Sequence, residues 1–162
     1  MSWCNRRTFI MSAMALGGCG FQPVYQQNAP SRALLETIEL DTPKNRDSYV
    51  MNRRIEERFG AAVDPKFALS YSISKSSSRA AIGTDGQANR RITTGTVTYT
   101  LVRLSDKKVI STGKENAFVG SSTTGSTVAT HAADRDAIER LVIQLADRVV
   151  DDLFLLSQEE LT

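Results

Sequence analysis

The chain has very few of the residues that build most covalent, metal and catalytic sites. It contains two cysteines, Cys4 and Cys19, and one histidine, His131, in 162 residues. Both cysteines fall within the first 19 residues, so the remainder can form no disulfide and no thiolate metal site. A histidine cluster around a metal is also excluded, and a Ser-His-Asp triad would have to use His131. We therefore expect no metal and no cofactor.

The start of the chain has the three parts of a secretory signal: a basic stretch, a short apolar run and small residues at the cleavage point. These parts are Arg6-Arg7, residues 8–16 and Gly17-Gly18. Cys19 directly follows the glycine pair, so its thiol can accept a diacylglycerol group before a peptidase cuts on its amino-terminal side. We predict a lipoprotein signal peptide over residues 1–18 and a mature chain that begins at lipid-modified Cys19.

An alternative for this segment is a buried apolar helix in which Cys19 is simply a small hydrophobic residue. The apolar run is shorter than the roughly 20 residues that span a membrane, and it ends in Gly-Gly, which helices disfavour. Residues 5–10 also resemble a twin-arginine export signal, but the usual Ser or Thr before the arginines and Lys after them are missing. General secretion and twin-arginine export therefore both stay open.

Gly20 stands where an aspartate would favour inner-membrane retention, which indicates delivery to the outer membrane.

The overall charge gives no indication of a nucleic-acid partner. The sequence has 20 basic and 18 acidic residues. Removal of residues 1–18 takes away Arg6 and Arg7 and no acidic residue, which leaves 18 basic against 18 acidic side chains. The positive charge of the whole sequence is therefore partly a property of the export signal. The length of the mature chain fits one domain.

The mature chain divides into a tether and a folded domain. Residues 19–32 are mostly polar and include Pro23 and Pro30, as expected for an extended link between a membrane anchor and a folded body. The tether predicted over residues 19–32 is followed by a single domain over residues 33–162.

The first predicted elements of this domain are a strand over residues 33–40 and a helix. Asp47 or Ser48 is the candidate helix cap. The apolar residues of this helix lie four or three apart on one face, at Met51, Ile55, Phe59 and Ala62. Gly60 and Pro65 should end it.

Two stretches in the middle of the chain alternate between apolar and polar or small residues, which predicts strands. The first contains Phe67, Leu69, Tyr71 and Ile73. A polar segment from Ser76 to a turn at Asp85-Gly86 follows it. The second strand is predicted over residues 90–104, with Val97, Tyr99 and Leu101 towards the core and Thr94, Thr96, Thr98 and Thr100 on the opposite face.

A turn over residues 105–108, a fourth strand over 109–119 and a loop over 121–126 complete the central part. A long amphipathic helix should begin between Thr127 and Thr130. Its apolar stripe is Ile138, Leu141, Val142, Leu145, Val149, Leu153 and Leu156. The predicted order β-α-β-β-β-α indicates an α+β fold, in which two helices pack on one face of a four-stranded, mostly antiparallel sheet.

Three stretches carry a family resemblance. They are Cys19-Gly20-Phe21 with Pro23 and Tyr25, residues 92–101, and residues 133–137 with Leu145-Ala146-Asp147. Together they resemble the LptE family of outer-membrane lipopolysaccharide-assembly lipoproteins, in the form found in α-proteobacteria. The resemblance implies two helices on a four-stranded sheet, a position as a plug inside the β-barrel protein LptD, and lipopolysaccharide contact through basic side chains. It implies no catalytic residue, and only Cys19 matches a functional motif position.

Five basic residues lie at the two ends of the central hairpin, which contains residues 92–101. They are Arg90, Arg91, Arg103, Lys107 and Lys108. Arginine pairs with phosphate through two hydrogen bonds and lysine acts as a point charge, so these residues are the candidate lipopolysaccharide contacts. The alternative is that cations at strand ends are solvated or protect a sheet edge. The threonine row likewise fits either a polar contact surface inside a barrel or ordinary strand propensity on a solvent face.

Two other function classes fit parts of the sequence. A periplasmic lipoprotein hydrolase could use His131 with Asp136 and a serine, but no Gly-x-Ser-x-Gly motif accompanies them. An RNA-binding module could have a similar sheet with two helices, but the neutral mature charge and the export signal argue against it. The preferred hypothesis is a non-enzymatic, lipid-anchored partner of an outer-membrane barrel on its periplasmic side.

Overall fold

The computed structural model describes residues 30–82, 88–124, 126–156 and 161. The elements are a 3-10 helix at Pro30–Leu34, β1 at Ile38–Leu40, α1 at Arg46–Phe59, β2 at Phe67–Ile82, β3 at Ala88–Arg103, β4 at Val109–Ser122 and α2 at Thr127–Phe154. The predicted signal peptide, Cys19 and the Asp85-Gly86 turn lie outside the described residues.

The four strands form one sheet in the order β1-β2-β3-β4. β1 runs parallel to β2, and α1 is part of the long crossover connection that a parallel pair requires. β2, β3 and β4 pair antiparallel. The predicted fold class, element order and mostly antiparallel sheet are confirmed.

The first helix begins earlier than predicted. Asn45 is its N-cap: the Asn45 side chain accepts a hydrogen bond from the Ser48 N–H at 2.9 Å, and the Ser48 hydroxyl accepts one from the Asn45 N–H at 3.0 Å. This reciprocal pair satisfies main-chain donors that the helix leaves free. The cap predicted at Asp47 or Ser48 is therefore wrong. Ala62 is also wrong as a core residue, because the helix ends at Phe59 and Ala62 is exposed.

The first strand is much shorter than predicted. Only Ile38–Leu40 is extended, and a 3-10 helix precedes it. Leu34 belongs to this 3-10 helix and is fully buried. Glu36 has a φ of 58°, which is outside the β region and interrupts an extended strand. The Glu36 N–H donates to the Phe59 carbonyl at 2.8 Å, so this turn also closes the end of α1.

The core lies between one face of the sheet and the two helices. The odd-numbered residues of β3 that were predicted to face it, Val97, Tyr99 and Leu101, are between 0% and 3% exposed. From α2, Leu141, Val142, Leu145, Val149 and Leu153 are fully buried, which confirms most of the predicted stripe. Gly95 allows α2 to approach closely, since a Cβ on Gly95 would lie 3.0 Å from Leu141 and Leu145.

Two segments predicted as irregular are strand. Residues 76–78 continue β2, where Ser76 pairs with Thr94 and Ser78 with Ile92. Ser121 and Ser122, predicted to begin a loop, end β4 and pair with Arg91 and Arg90. Cross-strand pairing overrides the weak strand propensity of serine in both places.

Candidate functional site

The sheet has one covered face and one uncovered face. Both helices pack against the odd-numbered side of β2 to β4, and no described helix or strand covers the even-numbered side. We call this second surface the open face. Its exposed or half-exposed residues include Ser70, Ser72, Ser74, Ser76 and Ser78 of β2, Arg90, Ile92, Thr94, Thr96, Thr98, Thr100 and Val102 of β3, and Thr112, Lys114, Asn116 and Phe118 of β4. The predicted threonine row is confirmed as part of it.

Short hydroxyl side chains stand in register on the open face. Thr96 pairs with Ser74 on one side and with Asn116 on the other, and its hydroxyl donates to the Asn116 Oδ1 at 2.7 Å. Neighbouring strands lie about 4.8 Å apart, and side chains on one face repeat about every 6.7 Å along a strand. Because each hydroxyl both donates and accepts, the surface can meet polar groups of many geometries. It is suited to broad polar contact.

The adjacent residues Arg90 and Arg91, near the start of β3, lie on opposite faces of the sheet. Arg91 faces α2 and forms an ion pair with Asp134, which also accepts a hydrogen bond from the Ser121 hydroxyl at 2.8 Å. Arg90 lies on the open face across Gly120, where a Cβ would come within 3.0 Å of the Arg90 Nε. Only one of the two predicted contact residues therefore belongs to the open face.

The other three basic candidates lie at the opposite end of β3. Arg103 is 13 residues from Arg90, which is about 43 Å along a strand. The Arg103 side chain is 16% exposed and pairs with Asp106 at 3.2 Å. Lys107 and Lys108 are exposed in the following turn. The structure does not bring the five basic candidates together.

Asp106 organises that turn. The Lys108 N–H donates to the Asp106 carboxylate at 3.1 Å, and this hydrogen bond, helped by the charge of Arg103, lowers the pKa of Asp106. The carboxylate thereby neutralises part of the local positive charge.

His131 is exposed in the first turns of α2, and the acids near it in sequence are engaged elsewhere. Asp134 binds Arg91 and Ser121, and Asp136 pairs with Arg140 at 3.0 Å. Within the described ranges, no three His, Cys, Asp or Glu side chains are placed to hold a metal ion. The geometry gives the hydrolase hypothesis no support.

Sequence reasoning missed two tyrosine contacts that hold the covered face in place. The Tyr99 ring lies over Gly113, and its hydroxyl donates to Asp152 of α2 at 2.9 Å. Burial, followed by the contact with Asp152, raises the pKa of Tyr99 to about 12. The Tyr71 hydroxyl contacts Asn52 of α1, and burial raises the Tyr71 pKa to about 12 as well. Gly113 of β4, which pairs with Tyr99, was the sequence feature that could have indicated the space for the tyrosine ring.

A family model described as lipopolysaccharide-assembly, LptE, matches residues 32–153. The chain belongs to the LptE family. The match confirms the predicted family resemblance and includes two of the three stretches that carried it, residues 92–101 and the segments within 133–147. No curated protein sequence matches the chain significantly.

Solved structures similar to this LptE-family chain share its fold at low sequence identity. A proposed lipoprotein of Caulobacter crescentus CB15 has a TM-score of 0.63 at 18% identity, over 78% of this chain and 94% of that one. Rare lipoprotein B of Shewanella oneidensis has a TM-score of 0.57 at 14% identity, over 72% and 91%. Lipoprotein B of Nitrosomonas europaea has a TM-score of 0.52 at 9% identity, over 81% and 88%. Among the helices that the structure describes, none is long and apolar enough to cross a membrane.

Proposed function

We propose that this LptE-family chain is a lipid-anchored component of the lipopolysaccharide assembly machinery on the periplasmic side of the outer membrane. In this role it plugs the LptD barrel, assists assembly of that barrel and contacts lipopolysaccharide, without catalysis. Residues 1–18 act as the export signal and Cys19 carries the lipid. Cys19 precedes Pro30 by 11 residues, which reach at most about 40 Å, so the folded domain stays close to the membrane.

The observation that carries the proposal, beyond family membership, is the open face. The interior wall of an outer-membrane barrel is lined by polar side chains that alternate with lipid-facing ones. A rigid sheet whose exposed side is mostly serine and threonine offers hydroxyl donors and acceptors to such a wall. Its side chains are short, so little rotamer entropy is lost on contact.

The exposed cations are the groups offered to lipopolysaccharide phosphates. Arg90 lies on the open face, and Lys107 and Lys108 are exposed at the other end of the hairpin. Arg91 pairs with Asp134 and Arg103 pairs with Asp106. Their main contribution is therefore to stabilise the two ends of β3. Contact with phosphate is therefore assigned first to Arg90 and to the lysine pair.

The proposal is tested by placing a photo-crosslinking amino acid at Thr98 of the open face and, as a matched control, at exposed Gln144 of α2. Both variants are expressed as full chains in cells depleted of the native protein. A crosslink to the LptD barrel from Thr98 and none from Gln144 is expected. Equal crosslinking from both positions, or none from Thr98, would contradict the assigned surface.

A further inference from the structure

One edge of the sheet is open over most of its length. β1 pairs with only three residues of β2, Phe67 to Leu69, whereas β2 continues to Ile82. In the part of the chain that the structure describes, no strand lies beside β2 on this side after Leu69. An edge of this length normally invites pairing with another extended chain.

The hydrogen bonds at the start of β2 show which main-chain groups face this edge. The Lys66 carbonyl accepts from the Leu104 N–H at 2.8 Å, which is on the β3 side. The Phe67 N–H donates to Thr37 at 3.1 Å, which is on the β1 side. The antiparallel register of β2 with β3 is unbroken from Phe67 to Ala80, and main-chain groups alternate between the two sides of a strand. The N–H and C=O groups of Tyr71, Ile73, Lys75 and Ser77 therefore point to the open edge.

A groove lies beside this edge where a longer β1 would continue. The chain leaves the sheet after Leu40 and turns through residues 41–44 into the cap of α1. The space left beside Tyr71 and Ile73 is a cavity of about 230 Å³, also lined by Asp41, Lys44 and Asp47.

The wall of the groove is held in place by hydrogen bonds. The Asn52 side chain donates to the Asp41 carbonyl at 2.8 Å, and the Tyr71 hydroxyl donates to the Ser48 carbonyl at 3.1 Å. Asp47 forms an ion pair with Lys75. An incoming strand would thus meet a preformed site, which lowers the ordering cost of binding.

We propose that this edge and groove bind an extended segment of the barrel protein, which adds to the sheet beside β2 in line with β1. This inference rests on the proposed function for the identity of the partner. The site presents main-chain donors and acceptors that repeat every second residue, and an extended polypeptide is the ligand that matches this spacing. The charges around the groove balance, with Asp41 and Asp47 against Lys44 and Lys75. The binding energy therefore comes from main-chain hydrogen bonds and from an apolar side chain of the bound segment that packs over Tyr71 and Ile73.

The closed geometry of a barrel restricts which segment can bind. Every strand of a closed barrel already pairs on both sides, so the wall itself has no free edge to offer. The occupant is therefore a loop or a terminal segment of the barrel protein that is not part of the wall.

Two substitutions at one position separate main-chain pairing from side-chain effects. Lys75→Ala and Lys75→Pro both remove the ion pair with Asp47, but only proline removes the edge-facing N–H. Because that N–H points away from β3, proline should leave the β2–β3 ladder intact. Ser76→Pro is the contrasting variant, since the Ser76 N–H points towards β3 and its loss should weaken the fold. Protease resistance of the full lipoprotein checks both expectations, and a Lys75→Pro chain as sensitive as Ser76→Pro would overturn the assignment of the edge.

The binding test uses a photo-crosslinking amino acid at Lys44, which lines the groove away from the open face. The full chain is expressed in cells, and the crosslink to the barrel is measured with Lys75→Ala or Lys75→Pro in addition. The Lys75→Pro chain should give about five- to tenfold less crosslink than Lys75→Ala, the loss expected for one hydrogen bond. Equal yields would overturn the proposal, as would a crosslink from Lys44 to a second copy of this chain.

The Thr98 probe separates this inference from the proposed function. A barrel crosslink from Thr98 with none from Lys44 overturns the edge proposal alone. A barrel crosslink from Lys44 that depends on the residue at position 75, with none from Thr98, supports the edge proposal and contradicts the open-face assignment. Absence of both crosslinks contradicts both.

Discussion

Arg91 and Asp134 form an ion pair that ties β3 to the first half of α2 on the covered face of the sheet. Their side chains are 35% and 19% exposed. The neighbouring Arg90 is on the other side of the same strand, so two adjacent arginines of identical chemistry lie in different surroundings. This separation makes them a matched pair for mutation.

Arg91→Ala should lower stability, because it leaves the Asp134 carboxylate partly buried with only Ser121 as a described hydrogen-bond partner. We expect a loss of about 1–2 kcal/mol in the free energy of unfolding. Urea denaturation of a soluble form that begins after Cys19 measures it. Arg90→Ala is the control and should unfold with the wild-type midpoint. A larger loss for Arg90→Ala than for Arg91→Ala would show that the faces are assigned wrongly.

Arg90→Glu should weaken binding of lipopolysaccharide without lowering stability, because it replaces attraction to phosphate by repulsion on an exposed surface. Binding of purified lipopolysaccharide to the soluble form is compared at low and high salt. The difference between wild type and variant should shrink as salt screens the charge. A variant that binds as well as wild type at low salt would remove Arg90 from the contact.

Leu145→Ala should destabilise the domain by about 2–5 kcal/mol, the usual cost of truncating a buried leucine. Leu145 is fully buried and packs over Gly95. Gln144→Ala, one residue away on the exposed side of α2, should change the denaturation midpoint little. An unchanged midpoint for Leu145→Ala would mean that this stripe is not core.

Tyr99 should make stability fall at high pH. Its pKa is raised from 10.0 to about 12 in the folded protein, so the unfolded chain ionises first. The contribution of the neutral tyrosine is fully present below about pH 10 and is lost as pH rises towards about 12. Tyr99→Phe should flatten this part of the pH profile, with Tyr71 responsible for the remaining slope because its pKa is also about 12. Identical profiles for wild type and Tyr99→Phe between these values would refute the role of Tyr99.

Lipid attachment should depend on Cys19. An acyl chain contributes about 0.8 kcal/mol per buried methylene, and stable anchoring needs more than one chain. Cys19→Ala should therefore lose palmitate label and leave the membrane fraction, whereas Cys4→Ala should retain both. Equal label in Cys19→Ala and wild type would show that the lipid is elsewhere.

Residue periodicity was sufficient for the helices and the central strands, because burial of one face is a strong local signal. Val97, Tyr99 and Leu101 alternate as a strand must, and Leu141 and Leu145 repeat as a helix must. The cap at Asn45 was also available in principle, since Asn45 and Ser48 have the spacing of a reciprocal cap.

The features that periodicity missed depend on distant parts of the chain. Residues 33–37 look like a strand because Leu34 is apolar, but the turn at Glu36 is held by the Phe59 carbonyl, which no local pattern reveals. Residues 76–78 look like a loop because serine has weak strand propensity, yet their partners across the ladder include Thr94 and Ile92. Because adjacent residues of a strand point to opposite faces, the sequence could have placed Arg90 and Arg91 on different faces of the sheet. The short length of β1, by contrast, could not be inferred from its residues.

We expect that the open face can be exchanged while the rest of the protein keeps its fold. Its serines and threonines support no helix, so most of them can be replaced while the covered face keeps the domain folded. Transplanting the even-numbered residues of β2 to β4 from a related lipoprotein should produce a chimera with the stability of this chain and the barrel preference of the donor. Under the proposed function the sheet is thus an adaptor, in which one side fixes the shape of the domain and the other can diverge together with the barrel.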